Sequence, residues 1–366
     1  MRVLIAAGGT GGHIYPGIAV AQEIMRRDAN SQVHFVGTAR GLEMRLVPQA
    51  GFELSLIESA GLKNVSLGAR VKGVALLPRS FNSARKLMRQ FQPNVVVGAG
   101  GYVSGPVVLT AALTNRPTLV MESNALPGWT NRVLARFVDR AAVSFEQALP
   151  FFRGKAKVTG NPVRREFFEI PAKQREPGKF SLLVFGGSQG ARAINEAIVA
   201  ALPSLKALPV ELRIKHQTGP TDFEKVKAAY EAAGWSERAD VRSYIDNMMA
   251  DFAAADLVVC RAGATTTAEL IAAGKASIMV PFPFAADDHQ RKNAEALQAG
   301  GAARMILQKD LSGEKLATEI AKLVQSPDDL NRMEQASREL AHGDSAAAAV
   351  NIIEELSERK AKKSGL

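Results

Sequence analysis

Gly8-Gly9-Thr10-Gly11-Gly12-His13 follows the apolar run Val3 to Ala7, and Gly186-Gly187-Ser188-Gln189-Gly190-Ala191 follows the apolar run Leu182 to Phe185. Each glycine turn opens a stretch of helical pattern. A strand that delivers the chain into glycines lets backbone N–H groups approach an anion closely, and the helix that follows adds its positive N-terminal end. The echo predicts a two-lobed enzyme that handles phosphate.

The echo extends beyond the turns. Pro93-Asn94-Val95-Val96-Val97-Gly98, a buried-strand pattern, is matched in the second half by Ala255-Asp256-Leu257-Val258-Val259-Cys260, and Thr118-Leu119-Val120-Met121 by Ala276-Ser277-Ile278-Met279-Val280. Between these runs lie helical patterns such as Ile18 to Arg27, Ala191 to Leu202 and Thr266 to Ala273. That alternation predicts an α/β chain of two Rossmann-like domains, each a parallel sheet covered on both faces. Ligands of such sheets sit beyond the carboxyl ends of the strands, so the expected active site is a cleft between the two lobes.

The 366 residues suffice for two domains, and 46% hydrophobic content fills their cores. A formal charge of +10 predicts an anionic partner: nucleic acid, a phosphorylated substrate or an acidic membrane surface. Cys260 is the only cysteine, so no disulfide forms within the chain, and its apolar strand predicts an inert buried thiol and a cytoplasmic setting. Met1 to Ala7 is too short an apolar segment for a signal peptide, and nowhere does an apolar run reach the roughly 18 residues of a membrane span. Membrane contact is therefore expected to be peripheral.

Pro162 and the polar stretch Ile170 to Lys179, with its two prolines, place a linker near residues 162 to 179. The expected domains are residues 1–163 and 164–343, with a last helix, about Ser345 to Arg359, crossing back onto the first. From Ser59 to Met121 there is no Asp or Glu, while Lys63, Arg70, Lys72, Arg79, Arg85, Lys86, Arg89 and Arg116 all fall inside. Val71, Val74, Leu77, Phe81, Leu87 and Met88 interleave with those charges and Pro78 breaks the run. Two readings follow: short amphipathic segments lying on anionic lipid, or a core-facing stripe with a wet basic face. Nucleic acid fits less well, because aromatic residues for base stacking are scarce among the charges.

The first turn is not a Walker A loop, since no Gly-Lys-Ser/Thr follows. It also lacks the GxGxxG spacing, and the second strand, Gln32 to Gly37, does not end in the acid that would hold a ribose of NAD. His13 in that turn either projects toward substrate, where its near-neutral pKa suits proton abstraction, or hydrogen-bonds the turn's backbone. His34, His216 and His342 have no chemical context. Asp287-Asp288-His289-Gln290-Arg291-Lys292-Asn293 is dense in groups that bind sugar hydroxyls, whereas the spacings needed for a metal site are missing. Arg261-Ala262-Gly263-Ala264-Thr265-Thr266-Thr267-Ala268-Glu269 reads as a nucleotide site: N–H groups and threonines for a diphosphate, then a carboxylate for ribose hydroxyls. Its alternative is a threonine-capped structural helix with Glu269 in a capping role.

These blocks, taken in order, resemble the MurG family, UDP-N-acetylglucosamine transferases that make the lipid-linked disaccharide precursor of bacterial peptidoglycan. The resemblance runs through Gly8 to His13, Gly37-Thr38 with Gly41-Leu42-Glu43, Gly100 to Pro106, Gly160 to Arg164, Gly186 to Ala191, Cys260 to Glu269 and Asp287 to Asn293. It implies a GT-B fold, with lipid-linked acceptor on the first lobe and sugar nucleotide on the second. It further implies that Arg164, Ser188, Ile245, Ala264, Thr265, Thr266, Thr267, Ala268, Glu269 and Gln290 surround the donor, with Glu269 on the ribose, Ile245 near uracil and Gln290 on the sugar. Thr10, Gly11, Gly12 and Asn124 complete the site from the first lobe.

Where relatives read His-Glu-Gln-Asn, this chain has Met121-Glu122-Ser123-Asn124, which leaves His13 as the candidate base, with Glu122 retained as the second candidate catalytic residue. The implied reaction is metal-independent and needs no cofactor: N-acetylglucosamine passes with inversion from its UDP donor to the C4 hydroxyl of undecaprenyl-diphosphate-linked muramyl-pentapeptide. The implied setting is the cytoplasmic face of the inner membrane, with the basic first lobe on anionic lipid. A UDP-N-acetylglucosamine epimerase of the same architecture is the alternative activity.

Overall fold

The computed structural model describes all residues except Thr10, Arg40, 60–66, 286–287, His342 and 364–366; the side chains of 67–75 and 360–363 are also outside the description. The chain divides into two compact units, Met1–Arg164 with His342–Leu366, and Arg165–Ala341.

In the first unit the order is β1 (Arg2–Ala7), α1 (Gly11–Arg27), β2 (Gln32–Gly37), α2 (Glu43–Gln49), β3 (Glu53–Leu56), α3 (Leu67–Phe91), β4 (Val95–Gly100), α4 (Ser104–Leu113), β5 (Thr118–Glu122), α5 (Trp129–Leu134), β6 (Arg140–Val143) and β7 (Ala156–Val158). The seven strands are parallel in the order β3-β2-β1-β4-β5-β6-β7. Alternate residues of β1 serve opposite faces. Val3, Ile5 and Ala7 pack with Ile14, Ile18 and Ile24 of α1, while Leu4 and Ala6 pack with Ala84 and Met88 of α3 and Val107 and Ala111 of α4. A strand buried on both sides must read as one continuous apolar run, which is what Val3 to Ala7 is.

The second unit runs β8 (Lys179–Phe185), α6 (Arg192–Lys206), β9 (Glu211–Gln217), α7 (Phe223–Ala232), β10 (Ala239–Arg242), α8 (Met248–Ala254), β11 (Leu257–Cys260), α9 (Ala264–Ala273), β12 (Ser277–Met279), α10 (His289–Ala299), β13 (Ala303–Met305), α11 (Gly313–Val324) and α12 (Pro327–Glu339). Its six parallel strands lie in the order β10-β9-β8-β11-β12-β13. In both sheets the strand order reverses beside the first strand of the half, between β1 and β4 and between β8 and β11. Those are the switch points at which ligands of open α/β sheets bind.

The last helix, α13 (Ser345–Lys363), belongs to the first unit. Ala349, Val350, Ile353 and Leu356 join the core beneath α1, and Arg27 reaches across to Glu354 at 2.7 Å.

Three expectations are corrected. The helix expected from Ile18 begins at Gly11 and runs through Pro16, because Ile14, Ile18 and Ile24 pack into the core and packing tolerates the loss of one hydrogen bond. Residues Leu67 to Phe91 form one helix through Pro78, not short broken segments. Within its described half, Ala84, Leu87 and Met88 turn to the core and Arg79, Arg85, Lys86 and Arg89 stay exposed. Third, the polar stretch before β8 is anchored to the second unit. Lys173 donates to Ala254 O at 2.7 Å, and Arg175 meets Glu334 at 2.6 Å and Asp256 at 3.5 Å.

Candidate active site

At the first switch point, Gly11 and Gly12 are the first two residues of α1, where N–H groups have no partner within the helix, and His13 is the third. Thr10 lies outside the described residues. His13 Nδ1 is 3.3 Å from Gly8 O; a carbonyl only accepts, so Nδ1 carries the proton and Nε2 the basic lone pair. The bond to the turn's backbone, one of the two sequence readings of His13, is thus present.

The ring lies directly on β4. A Cβ added to Gly100 would sit 2.3 Å from His13 Cδ2, and one on Gly101 would sit 2.2 Å from Gly8 O. Both glycines have positive φ, +117° and +81°, so no other residue fits this approach.

Glu43, fully buried at the start of α2, fixes the same turn. Its carboxylate accepts from Gly9 N–H at 3.0 Å and from the Thr38 N–H and hydroxyl, each at 2.8 Å. Glu122, 4% exposed, accepts from the Asn124 N–H and Nδ2, each at 3.0 Å, and from Gly128 N–H and Asn131 Nδ2, each at 2.9 Å. Four donors therefore hold Glu122 as the organiser of the loop that presents Asn124. The altered block is accommodated locally: Met121 is buried in the sheet's core and Ser123 donates to Asn161 Oδ1 at 2.7 Å. Arg164 is exposed at the end of this unit.

At the second switch point, Ser188 is exposed at the tip of the turn after β8, and Gly187, with φ +96°, accepts from Gly190 N–H at 3.0 Å. A Cβ on Gly190 would fall 1.8 Å from Thr218 O, so this turn nests against the end of β9. Beside it, α9 starts at Ala264 after extended Gly263, which aims the N–H groups of Ala264, Thr265 and Thr266 outward. Thr267 is spent on Ala264 O at 2.9 Å and Ala268 is buried, whereas the buried Thr265 hydroxyl has no hydrogen-bond partner. An unmatched hydroxyl at a helix start suits an anionic oxygen. Glu269 stands one turn along from Thr265, on the same face.

Ile245 is buried after β10, and Gln290 in the first turn of α10 accepts through Oε1 from Phe282 N–H at 3.0 Å. The segment between is pinned by Arg261, which donates to Val280 O at 3.0 Å, Pro281 O at 3.2 Å and Gln308 Oε1 at 2.7 Å. Burial lowers this guanidinium to about 10, so it stays charged at neutral pH. Cys260 is fully buried, and burial pushes its thiol up. Among the described residues no group of three or more His, Cys, Asp or Glu is arranged to hold a metal ion, and Asp287 lies outside them.

Sequence reasoning gave no role to the buried polar residues behind these turns. His216, for which no chemical context was expected, accepts from Tyr230 OH at 3.1 Å and donates to Asn195 Oδ1 at 3.0 Å, and Asn195 Nδ2 donates to Thr218 O at 3.0 Å. Gln217 donates to Gly187 O and accepts from Ile245 N–H, both at 2.8 Å. The available signal was positional: His216-Gln217-Thr218-Gly219 ends the second strand of its half, as Val36-Gly37-Thr38 does in the first.

The two turns differ in one respect. The first gives an N–H to a buried carboxylate, Glu43, whereas the second is tied through the Gly187 carbonyl to the amide of Gln217. Comparison with known proteins agrees with two such domains. The glycosyltransferase family 28 N-terminal domain matches residues 3–143 and the family 28 C-terminal domain residues 181–354. A UDP-N-acetylglucosamine--N-acetylmuramyl-(pentapeptide) pyrophosphoryl-undecaprenol N-acetylglucosamine transferase of Citrifermentans bemidjiense is 47% identical over 356 residues, 96% of this chain and 99% of that protein. The crystal structure of Acinetobacter baumannii MurG superposes with a TM-score of 0.80 at 31% identity, covering 97% of this chain and 99% of that one. A UDP-GlcNAc 2-epimerase from Neisseria meningitidis shares the fold alone, with a TM-score of 0.69 at 12% identity and coverage of 97% and 100%. With its two parallel-sheet domains and identity along nearly its whole length, the chain belongs to the MurG family of family 28 glycosyltransferases.

Proposed function

We propose that this protein transfers N-acetylglucosamine from UDP-N-acetylglucosamine to the C4 hydroxyl of N-acetylmuramyl-pentapeptide carried on undecaprenyl diphosphate, the step from lipid I to lipid II in peptidoglycan synthesis. Two observations, each within its own unit, carry this reading in a chain of this family: a histidine whose Nδ1 is bonded to the turn's backbone at the first switch point, and an unmatched threonine hydroxyl at a helix start at the second.

In this reading the second unit holds the donor. The N–H groups at the start of α9, the Thr265 hydroxyl and Ser188 meet the diphosphate, Glu269 the ribose, Ile245 the uracil and Gln290 the sugar, with Arg164 nearby. The first unit holds the acceptor through Gly11, Gly12, Thr10 and the Asn124 loop that Glu122 organises. His13 Nε2 takes the proton of the C4 hydroxyl as its oxygen bonds to the anomeric carbon. The bond from that carbon to UDP breaks, and its electron pair leaves with the diphosphate on the opposite face. Configuration inverts from alpha to beta. Charge growing on the leaving group is met by the helix N-terminus and the turn's N–H groups.

The membrane setting is part of the same proposal. Among the described residues no helix is long and apolar enough to cross a membrane. Exposed Arg79, Arg85, Lys86 and Arg89 on α3, together with exposed Trp129, Val133 and Phe137, give the first unit charge and apolar side chains suited to anionic lipid at the cytoplasmic face.

The test is transfer of radiolabelled N-acetylglucosamine from its UDP donor into a lipid-linked muramyl-pentapeptide, in EDTA, with wild type and His13→Ala side by side. Wild type should move label into the lipid phase, and His13→Ala should lose about 10² to 10⁴-fold in kcat while binding UDP normally. No transfer by wild type refutes the reaction; near-normal turnover by the variant removes His13 from the base role.

A further inference from the structure

Gln217 is the last residue of β9, which lies between β8 and β10 in the second sheet. It is 2% exposed, and both ends of its amide are used sideways: Nε2 donates to Gly187 O and Oε1 accepts from Ile245 N–H, each at 2.8 Å. One buried side chain therefore spans the loops that follow the two flanking strands. Gly187 adjoins Ser188, placed above on the diphosphate, and Ile245 is placed on the uracil.

We infer that Gln217 is a positioning residue that fixes the distance between the diphosphate and base subsites of a nucleoside diphosphate, an inference resting on the donor reading of the second unit. The Gly187 carbonyl takes two donors, Gln217 Nε2 and Gly190 N–H, so the peptide plane cannot turn its carbonyl toward the ligand. Held inward, that carbonyl is kept away from an anion bound at the turn. At the other end, the same amide fixes the Ile245 backbone. The role demands a neutral side chain with a donor and an acceptor at this length: a carboxylate would set an anionic oxygen against the Gly187 carbonyl, and an alkyl chain would strand the Ile245 N–H and leave the Gly187 carbonyl one donor short.

Two variants separate this role from plain structural support. Gln217→Leu keeps the volume and loses both bonds. It should weaken UDP binding by calorimetry, and raise the donor KM, about tenfold or more, while kcat at saturating donor falls far less, because His13 and the α9 N-terminus are untouched. Gln217→Glu should bind UDP weakly at pH 8 and recover toward wild type as pH falls and the carboxyl protonates, since a neutral acid can donate to Gly187 and accept from Ile245. Wild type and Gln217→Leu should lack that recovery. Thermal midpoints measured alongside report stability separately, and the pH recovery of Gln217→Glu decides the matter if the leucine variant fails to fold. UDP affinity of Gln217→Leu within twofold of wild type, or no recovery of Gln217→Glu at low pH, overturns the inference. Failure of wild type itself to bind UDP overturns the donor reading instead.

Discussion

Mild acid should loosen the second unit through one side chain, His216. Burial pushes this imidazole from its ordinary 6.5 down to about 3, and it is fully inaccessible to solvent. The unfolded chain binds a proton near pH 6.5 that the folded chain refuses until about pH 3, so the unfolded state holds more protons throughout that window. Stability from this group is therefore complete above pH 6.5 and falls as pH drops toward 3. At about 1.4 kcal/mol per unit, the loss is roughly 3 kcal/mol at pH 4.5 and approaches about 5 kcal/mol near pH 3. Trp235 is fully buried in the same core as Tyr230, whereas Trp129, in the other unit, is 47% exposed. With Trp129→Phe as background, tryptophan fluorescence in urea reports on the second unit alone. His216→Gln should be less stable at pH 7.5, having lost the fit to Tyr230 and Asn195, but its deficit should shrink by roughly 3 kcal/mol at pH 4.5. Parallel stability curves for the two proteins across that range would refute the reasoning, because they would mean that His216 takes up its proton in the folded state.

Three further outcomes follow from other buried groups and one surface. Thr265→Val removes a hydroxyl that has no partner in the protein, so thermal stability should hold or rise while UDP binding by calorimetry weakens about fivefold to tenfold; unchanged binding would place the diphosphate elsewhere. Glu43→Gln puts an NH₂ against Gly9 N–H or Thr38, costing about 2 kcal/mol. Its kcat should fall about tenfold, because the turn carrying the Gly8 carbonyl is what holds His13, while UDP affinity stays unchanged; steady-state kinetics beside denaturation checks both parts. Reversing Arg79, Arg85 and Arg89 to Glu should release the protein from anionic vesicles in a sedimentation assay, and equal binding by the variant would remove α3 from the membrane face.

The frame was legible because burial dictates composition. Val3 to Ala7, Val95 to Val97 and Leu257 to Cys260 are covered on both faces, so they had to be continuously apolar, and the strands lie where those runs stand. Pro78 misled: it sits inside a helix, as Pro16 does, since a helix held by tertiary packing tolerates the loss of one hydrogen bond. The polar stretch before β8 also misled, because a linker and a segment bound by Lys173 and Arg175 share one composition and differ only in partners far along the chain.

The same limit hid the clamps behind the two glycine turns. Glu43 is separated by 34 residues from the N–H it holds at Gly9, and Gln217 by 30 from the carbonyl it holds at Gly187. No local pattern marks a polar residue as the partner of so distant a backbone group; only the parallel sheet, which sets the second strand of each half beside the first, brings them together. The chemistry of each clamp then separates two turns that look alike in sequence. A carboxylate that accepts from Gly9 places negative charge beneath the first turn and uses one of its donors. An amide that donates to Gly187 is neutral, and it holds inward a carbonyl of the second turn that would repel an anion. Of two similar glycine turns, the second is therefore the better seat for the donor's diphosphate, and exchanging the clamps' chemistry, with Gln at 43 and Glu at 217, should weaken each unit's function by its own route: turnover through His13 in the first, nucleotide affinity in the second.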